Sequence, residues 1–427
     1  MRIACFICSL LLLVQACAPQ APSSQAPEPS QTGEQWTQFR LNPQHDATLP
    51  GNLRVSWRVR TKGPFSSSPA VVGSTVYIGN NAGTLYALDL ETGRVRWTYH
   101  VSDSLMSNPI VYGGLVIAGE GNGRYHYNSS GRFVVGSGQN VLFALDAASG
   151  APRWKIALAG SGMPTPAIVD GLLIQHNGGG LLSAIDPLSG KVLYSLDLHS
   201  AAAMSAILPV GDGRFVTDGG VADAVQERNA RTGALVWISP FVKGAWGMSD
   251  CPSATDGAFV FCNYNAPPAG THETWRPFEP ATEHAYAVDV RDGRVRWDVP
   301  LETGLIPRWN QAGIPLVAFG SVFFGSSVAP FVHSLDTRTG RVRWRLHVRG
   351  PVKSGIARLG GTLFFGDLRG YMWAVDARTG RVVGDKNEHT SFNVGSPVVV
   401  GRTILVGSNS GVVLALPEDD VRKSHDP

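Results

Sequence analysis

The sequence predicts an all-β chain: an eight-bladed β-propeller of four-stranded antiparallel blades, closed by an N-terminal outer strand around Trp57 that joins the last blade. Three observations predict it. A short signature recurs along the chain: an alternating run ending in Asp, a Gly four residues later, and an aromatic four residues after that. Two further short β-branched runs precede each copy, making four strands per unit. The final copy stops after three strands, and a lone strand-like run near the N-terminus carries the missing aromatic. Composition agrees. With 43% hydrophobic residues, 11 Trp and 17 Phe, the 427-residue chain can bury a large core, which excludes disorder for its bulk. The 50 Gly favour short strands and many turns. Charges nearly balance at a net +3 with no basic stripe, so there is no electrostatic footprint for nucleic acid.

The chain opens with Met1-Arg2 and an apolar run over residues 3–14, too short to span a bilayer as a permanent helix. Residues 1–16 read as a signal peptide. Val14-Gln15-Ala16-Cys17 resembles a bacterial lipobox, and the resemblance implies that Cys17 becomes the lipid-bearing first residue of the mature chain. Ala18 follows in place of Asp, which by the same resemblance points to a periplasm-facing anchor at the outer membrane rather than the inner. Residues 17–35, with four Pro and little apolar bulk, are expected to form an extended linker reaching about 50 Å. The folded body is assigned to residues 36–417 and a polar tail to 418–427.

Five Cys support export. Cys5 and Cys8 leave with the signal peptide and Cys17 takes the lipid, so Cys251 and Cys262 remain as a pair in an oxidising compartment. They flank Asp256-Gly257. A two-residue hairpin turn there sets Thr255 opposite Ala258 and Cys251 opposite Cys262, as a hydrogen-bonded pair with the wider Cα spacing. A disulfide and two buried thiols both fit that count.

The signature runs Asp89…Gly93…Trp97, Asp146…Gly150…Trp154, Asp186…Gly190…Tyr194, Asn229…Gly233…Trp237, Asp289…Gly293…Trp297 and Asp336…Gly340…Trp344. The seventh copy, Asp376…Gly380, has Gly384 in the aromatic slot. The Asp side chain caps a turn and Gly supplies its left-handed residue, so the flanking runs form a hairpin. Each aromatic then packs against the next blade: Trp57, Trp97, Trp154, Tyr194, Trp237, Trp297 and Trp344. One blade cannot cover both its faces, so the units must stack into a ring. The last unit ends at Pro417, and the run 54–59 supplies its fourth strand, removing the open edge.

This A-x-D-x-x-[ST]-G-x-x-x-W unit resembles the pyrroloquinoline-quinone (PQQ) repeat, and Trp36 with Asn42-Pro43-Gln44-His45 is similar to the opening segment of such propellers. The family includes quinoprotein dehydrogenases as well as scaffolds without catalysis. Toward the dehydrogenases, the resemblance implies a quinone-like pocket. Trp246 stands at an aromatic floor, Asn265 at a calcium ligand, and Asn310 where those enzymes carry the Asp general base. An amide cannot take that proton, so no catalytic residue is assigned. Lys353, at the start of an inner strand, is expected to face the funnel. For Trp246, Asn265 and Asn310 packing or loop capping is the ordinary alternative, and for Lys353 it is a place on the surface. No metal spacing is found among the 11 His, nor a convincing Glu for calcium around Gln175-His176-Asn177. His176 replaces a Gly found in other units and is expected to line the channel or sit in a solvated loop. PQQ with calcium therefore enters only through the resemblance.

The whole layout, with lipobox, Pro-rich tether and eight-bladed ring, resembles BamB-type lipoproteins of outer-membrane assembly. The tail from Phe392–Pro397 to Ser410–Leu416 is similar to that family's closing repeat, while no Leu-Arg partner-binding loop follows Met204-Ser205-Ala206. The resemblance implies a monomeric protein-binding scaffold whose partners are other envelope proteins, with a quinoprotein dehydrogenase-like oxidoreductase as the alternative. Two insertions, around 120–139 and 263–283, join the middle strand to the third in blades 2 and 5, so both should decorate one face. Tyr125-His126-Tyr127 and His272–Arg276 supply the aromatic and Arg groups of interfaces.

Overall fold

The computed structural model describes residues 35–129, 133–136, 139–219, 224–240, 252–266, 278–307 and 313–424. They form the expected eight antiparallel blades. Blade 1 comprises Ala70–Val72, Thr75–Gly79, Thr84–Asp89 and Val95–His100, in order from the inner strand to the outer. Blades 2 to 7 follow at 110–159, 167–197, 208–238, 254–305, 316–347 and 357–387. Blade 8 takes Val398–Val400, Thr403–Gly407 and Val412–Pro417 from the C-terminus and Trp57–Arg60 as its outer strand, with Trp57 opposite Ala415. The ring therefore closes as predicted, although the strand starts at Trp57 rather than at 54.

Each blade-packing aromatic lies over the third-to-outer turn of the next blade. The indole Nε1 of Trp57 donates to the carbonyl of Leu90, Trp97 to Ala147, Trp154 to Pro187, Trp237 to Val290, Trp297 to Thr337 and Trp344 to Ala377, at 2.7–3.1 Å. Tyr194 keeps the slot with its phenol, donating to Ala230 at 2.6 Å. The turn Gly is needed twice over. At Gly150 the backbone has φ +74°, and a Cβ would stand 2.7 Å from the Trp97 ring. The aromatic and the Gly are thus one device in which ring and bare backbone meet.

The hairpin carrying each aromatic has a β-bulge at one fixed place. Ala87 pairs with Trp97 but Leu88 with Val95, leaving Arg96 as the extra residue. The same shift singles out Arg153, Leu193, Val236, Arg296, Arg343 and Val383. A bulge re-aims its residue. Arg96, Arg153, Arg296 and Arg343 turn back onto the carboxylates of Asp89, Asp146, Asp289 and Asp336 at 2.6–2.7 Å. These bonds, with the turn's own donors, hold the four carboxyls below the usual range.

Gly384, in the empty aromatic slot of blade 7, has its own explanation. The C-terminal residues are not only a polar tail, because Glu418–Arg422 form a helix that buries Val421. A Cβ at Gly384 would lie 2.2 Å from the Val421 carbonyl oxygen. The helix takes the place that an eighth turn would have taken.

Two local expectations need correction. Thr255 pairs with Val260 and Ala254 with Phe261, two positions away from the counted register. The Asp256 carboxylate accepts the backbone N–H of both Ala258 and Phe259, which ties up these residues in the turn instead of the ladder. Cys262 is fully buried, and Cys251 lies outside the described residues. In blade 5 much of the predicted insertion is strand, since Phe259–Ala266 pairs along its length with residues 282–289. In blade 2 the insertion holds a small hairpin of Tyr125–Tyr127 with Phe133–Val135.

Candidate functional site

The inner strands of a propeller line a channel, and here the chain's own N-terminal residues occupy it. Residues 36–49 cross the inner edges of successive blades as a strap. Trp36 exchanges both backbone bonds with Val111 of blade 2, and Thr37 accepts from Ile168 of blade 3. Phe39 packs with Ala206, which precedes blade 4. Pro43 accepts from Thr255 of blade 5 and Gln44 from Val317 of blade 6. Thr48 Oγ1 donates to the Arg358 carbonyl of blade 7 at 2.6 Å, and Thr48–Leu49 adds in parallel to blade 8 as a fifth strand. The strap then leaves at the turn where Arg402 donates to Leu53.

Arg40 fixes the strap. Its guanidinium donates to the carbonyls of His45, Pro397 and Ile356 at 3.0, 3.2 and 2.5 Å and is fully buried. Burial lowers its pKa to about 9, so it stays charged at neutral pH. His45, beside it, is pushed down to about 3 by burial and by the Arg40 charge, and is neutral. Arg40, Leu41, His45 and Ala47 all take left-handed φ values, a strain that persists only where surrounding contacts dictate it.

Above the strap a polar belt joins the starts of the inner strands. Gly355 donates to Ser396 Oγ, Ser396 to Ser68 Oγ, Ser68 to Asn108 Oδ1, and Asn108 Nδ2 to Thr165 Oγ1, at 2.5–3.0 Å. Thr165 then exchanges backbone bonds with Ser205 and Ile207. These short hydroxyl and amide side chains tie blades 7, 8, 1, 2, 3 and 4 together around the channel.

Of the pocket residues expected from the sequence, Asn265 and Lys353 fall within the described residues. Trp246 and Asn310 lie outside the described residues. Asn265 is buried in the second strand of blade 5, opposite Glu283. Lys353 precedes the inner strand of blade 7 and is buried. His176 also departs from expectation. It is fully buried between blades 3 and 4, with Nε2 donating to the Ser200 carbonyl at 2.8 Å and Nδ1 3.1 Å from Thr217 Oγ1. Burial pushes it down to about 4.

A polar cluster that sequence reasoning missed lies between blades 5 and 6. Glu283 faces a second bulge, in which Thr282 pairs with Thr303 but His284 with Pro300, placing Leu301 and Glu302 against it. Glu283 Oε1 accepts from Asn263 Nδ2 at 3.2 Å and from the Ser327 N–H at 3.3 Å. Its Oε2 has no hydrogen-bond partner among the described residues. Burial pushes this carboxyl up to about 7. Burial would also raise Glu302, but hydrogen bonds from Arg345 and His333 outweigh it and hold the carboxyl down. Arg345 is the counter-charge, at 2.5 and 2.7 Å, while His333 at 2.8 Å is held neutral by its own burial. A signal was present in the sequence, for Glu283 occupies the inward phase shared by Ala281, Ala285 and Ala287. This donor set does not fit calcium. Of its two carboxyls, Glu302 is committed to Arg345 and His333 and Glu283 to Asn263 and Ser327, where calcium takes six to eight oxygens.

A family sequence profile described as outer membrane protein assembly factor BamB matches residues 50–126, 118–256 and 281–422. Among curated relatives, the tetrathionate hydrolase of Acidithiobacillus ferrooxidans is 26% identical over 367 residues, covering 82% of this chain and 72% of that protein. Outer membrane protein assembly factor BamB of Yersinia pestis is 24% identical over 377 residues, covering 81% and 83%. Among solved structures, the quinohemoprotein alcohol dehydrogenase of Comamonas testosteroni superposes with a TM-score of 0.65 at 12% identity, over 92% of this chain and 82% of that one.

Proposed function

The chain belongs to the family described as outer membrane protein assembly factor BamB, and from that premise we propose that it is an exported, lipid-anchored scaffold that binds other envelope proteins during outer-membrane protein assembly. One observation carries the reading furthest. The blade 2 hairpin and the lengthened strands of blade 5 both extend the connection between second and third strands, so they rise on the same face of the ring. At the opposite face the strap leaves the channel. Added structure is concentrated on one side, as a docking platform requires, and Tyr127 stands exposed there.

Cys17 is the proposed anchor, with residues 17–35 as the tether and Cys251 with Cys262 as a proposed disulfide. The test is co-purification of the full chain from membranes, with mass spectrometry of its mature N-terminus. Recovery with β-barrel assembly components, and a lipid-modified Cys17, are the expected results. Recovery alone and unmodified in the soluble periplasmic fraction would overturn the reading. The alternative, a quinone-dependent oxidoreductase, rests on the resemblance of Trp246, Asn265 and Asn310 to dehydrogenase positions. Titration with PQQ, with and without calcium, tests it. Saturable one-to-one binding would replace the scaffold reading with an enzyme whose base is restored by Asn310→Asp.

A further inference from the structure

The residue at each outer bulge lies on its blade's rim, and its identity divides the ring. In blades 1, 2, 5 and 6 it is an Arg locked onto the turn Asp. In blade 7 it is Val383, packed in the cluster that the C-terminal helix closes with Val421. Blade 8 presents Arg58 and Arg60 on its outer strand. Blades 3 and 4 have neither device. Their bulge residues are Leu193 and Val236, and blade 4 carries Asn229 in place of the turn carboxylate.

The consequence is an apolar rim on two adjacent blades. Leu235, Val236 and Ile238 are 48%, 46% and 49% exposed, so three of the four residues of this outer strand face water with no charge among them. Leu188, Val192 and Leu193 of blade 3 are similarly exposed. Exposed sheet edges usually carry charges because their unpaired backbone groups invite another strand. The molecule itself shows what an outer strand without the Arg requires, since blade 7 is covered by a segment of this chain.

We propose that the outer strand of blade 4, with the neighbouring rim of blade 3, binds an extended, alternately apolar segment of a partner protein, which adds to Leu235–Ile238 as a fifth strand. The six side chains offer on the order of 500 Å², typical of a functional patch. This falls short of the ~800 Å² per partner of a stable dimer, so one segment fits better than a second copy. Backbone bonds supply affinity and the aliphatic side chains supply selectivity. The proposal rests on the scaffold reading and names one surface for it.

The test uses the whole mature protein and a fluorescein-labelled ten-residue peptide of alternating Val and Thr, read by anisotropy. Saturable binding is expected, weakened at least tenfold in Val236→Arg/Ile238→Arg. It is also weakened at least tenfold when the peptide backbone is N-methylated at alternate residues, which removes its donors but keeps its side chains. Both positions are exposed, so the melting temperature of the variant should match the parent. Absence of binding by the parent, or equal binding by the variant, overturns the proposal. Concentration-dependent dimers that the same variant abolishes would also overturn it, by assigning the rim to a second copy. Failure of membrane co-purification would remove the scaffold reading and leave the peptide result standing, so the two failures are distinct.

Discussion

Replacing the turn Gly of blade 2 tests the ring-closing device directly. Gly150 and Gly114 belong to the same blade and have nearly the same left-handed backbone, φ +74° and +75°. An added Cβ at Gly114 meets nothing within 4 Å, whereas at Gly150 it meets the Trp97 ring at 2.7 Å. Gly114→Ala therefore pays only for the left-handed conformation, about 1–2 kcal/mol. Gly150→Ala incurs that cost and also displaces Trp97. Overpacking costs about 1–3 kcal/mol, and the indole bond to the Ala147 carbonyl at 3.1 Å contributes about 1 kcal/mol. The expected difference between the variants is about 2–4 kcal/mol. At about 2.1 cal/mol/K of unfolding entropy per residue, a 427-residue chain moves roughly 1 °C per kcal/mol. Differential scanning calorimetry should thus place Gly150→Ala about 2–4 °C below Gly114→Ala. Equal melting temperatures would refute the idea that the turn Gly is there for the neighbouring aromatic.

The remaining predictions concern other parts of the ring. Glu283 has its folded pKa raised by burial from 4.5 to about 7, so the folded state holds more protons between those values and loses stability as pH rises through them. Glu283→Gln should remove an alkaline loss on the order of 3 kcal/mol, measured by denaturant titration from pH 5 to 8; an unchanged profile would count against it. His45 and His176 act oppositely, because their lowered pKa values of about 3 and 4 cost stability as pH falls below about 6.5. Arg40→Met strips its donors from three buried carbonyls and should cost about 3–5 kcal/mol; a loss below 1 kcal/mol in urea would show that the strap is not held there. Truncation after Pro417 uncovers the outer strand of blade 7 and should cost about 2–3 kcal/mol, with faster amide exchange at 382–387. Unaltered exchange would show that the helix is not a cover.

The blades were legible because their determinants are local and repeated. Asp at a turn, Gly four residues on and an aromatic four beyond that fix a hairpin wherever they occur, so even the eighth blade could be deduced from Trp57. The strap was not legible as a channel filling. Its hydrogen bonds go one or two at a time to strands tens to hundreds of residues away, and no period marks residues 36–49. The hairpin register at Thr255 slipped by two because the Asp256 side chain competes with the ladder, a contest the dipeptide Asp-Gly does not reveal. Glu283 was passed over for want of a motif, although its place among inward alanines marks it. The short C-terminal helix was hidden because Val421 is its lone aliphatic residue among charged ones.

The strap has a bearing on how the molecule comes to exist. Residues 36–49 are made before any of the blades, yet their binding partners lie along the inner edges of blades 2 to 8. The last of these, Val398–Val400, is made almost at the end of synthesis. The earliest segment is therefore the last to find its seat, and the closing strand Trp57–Arg60 waits with it for Val412–Pro417. Such pairing between distant parts of the chain makes folding slow and leaves open edges exposed in the interval. Blades cannot be banked one by one as they appear. The ring must be completed in a single late event, and a circular permutant that cuts between residues 49 and 57 would free the strap from that wait.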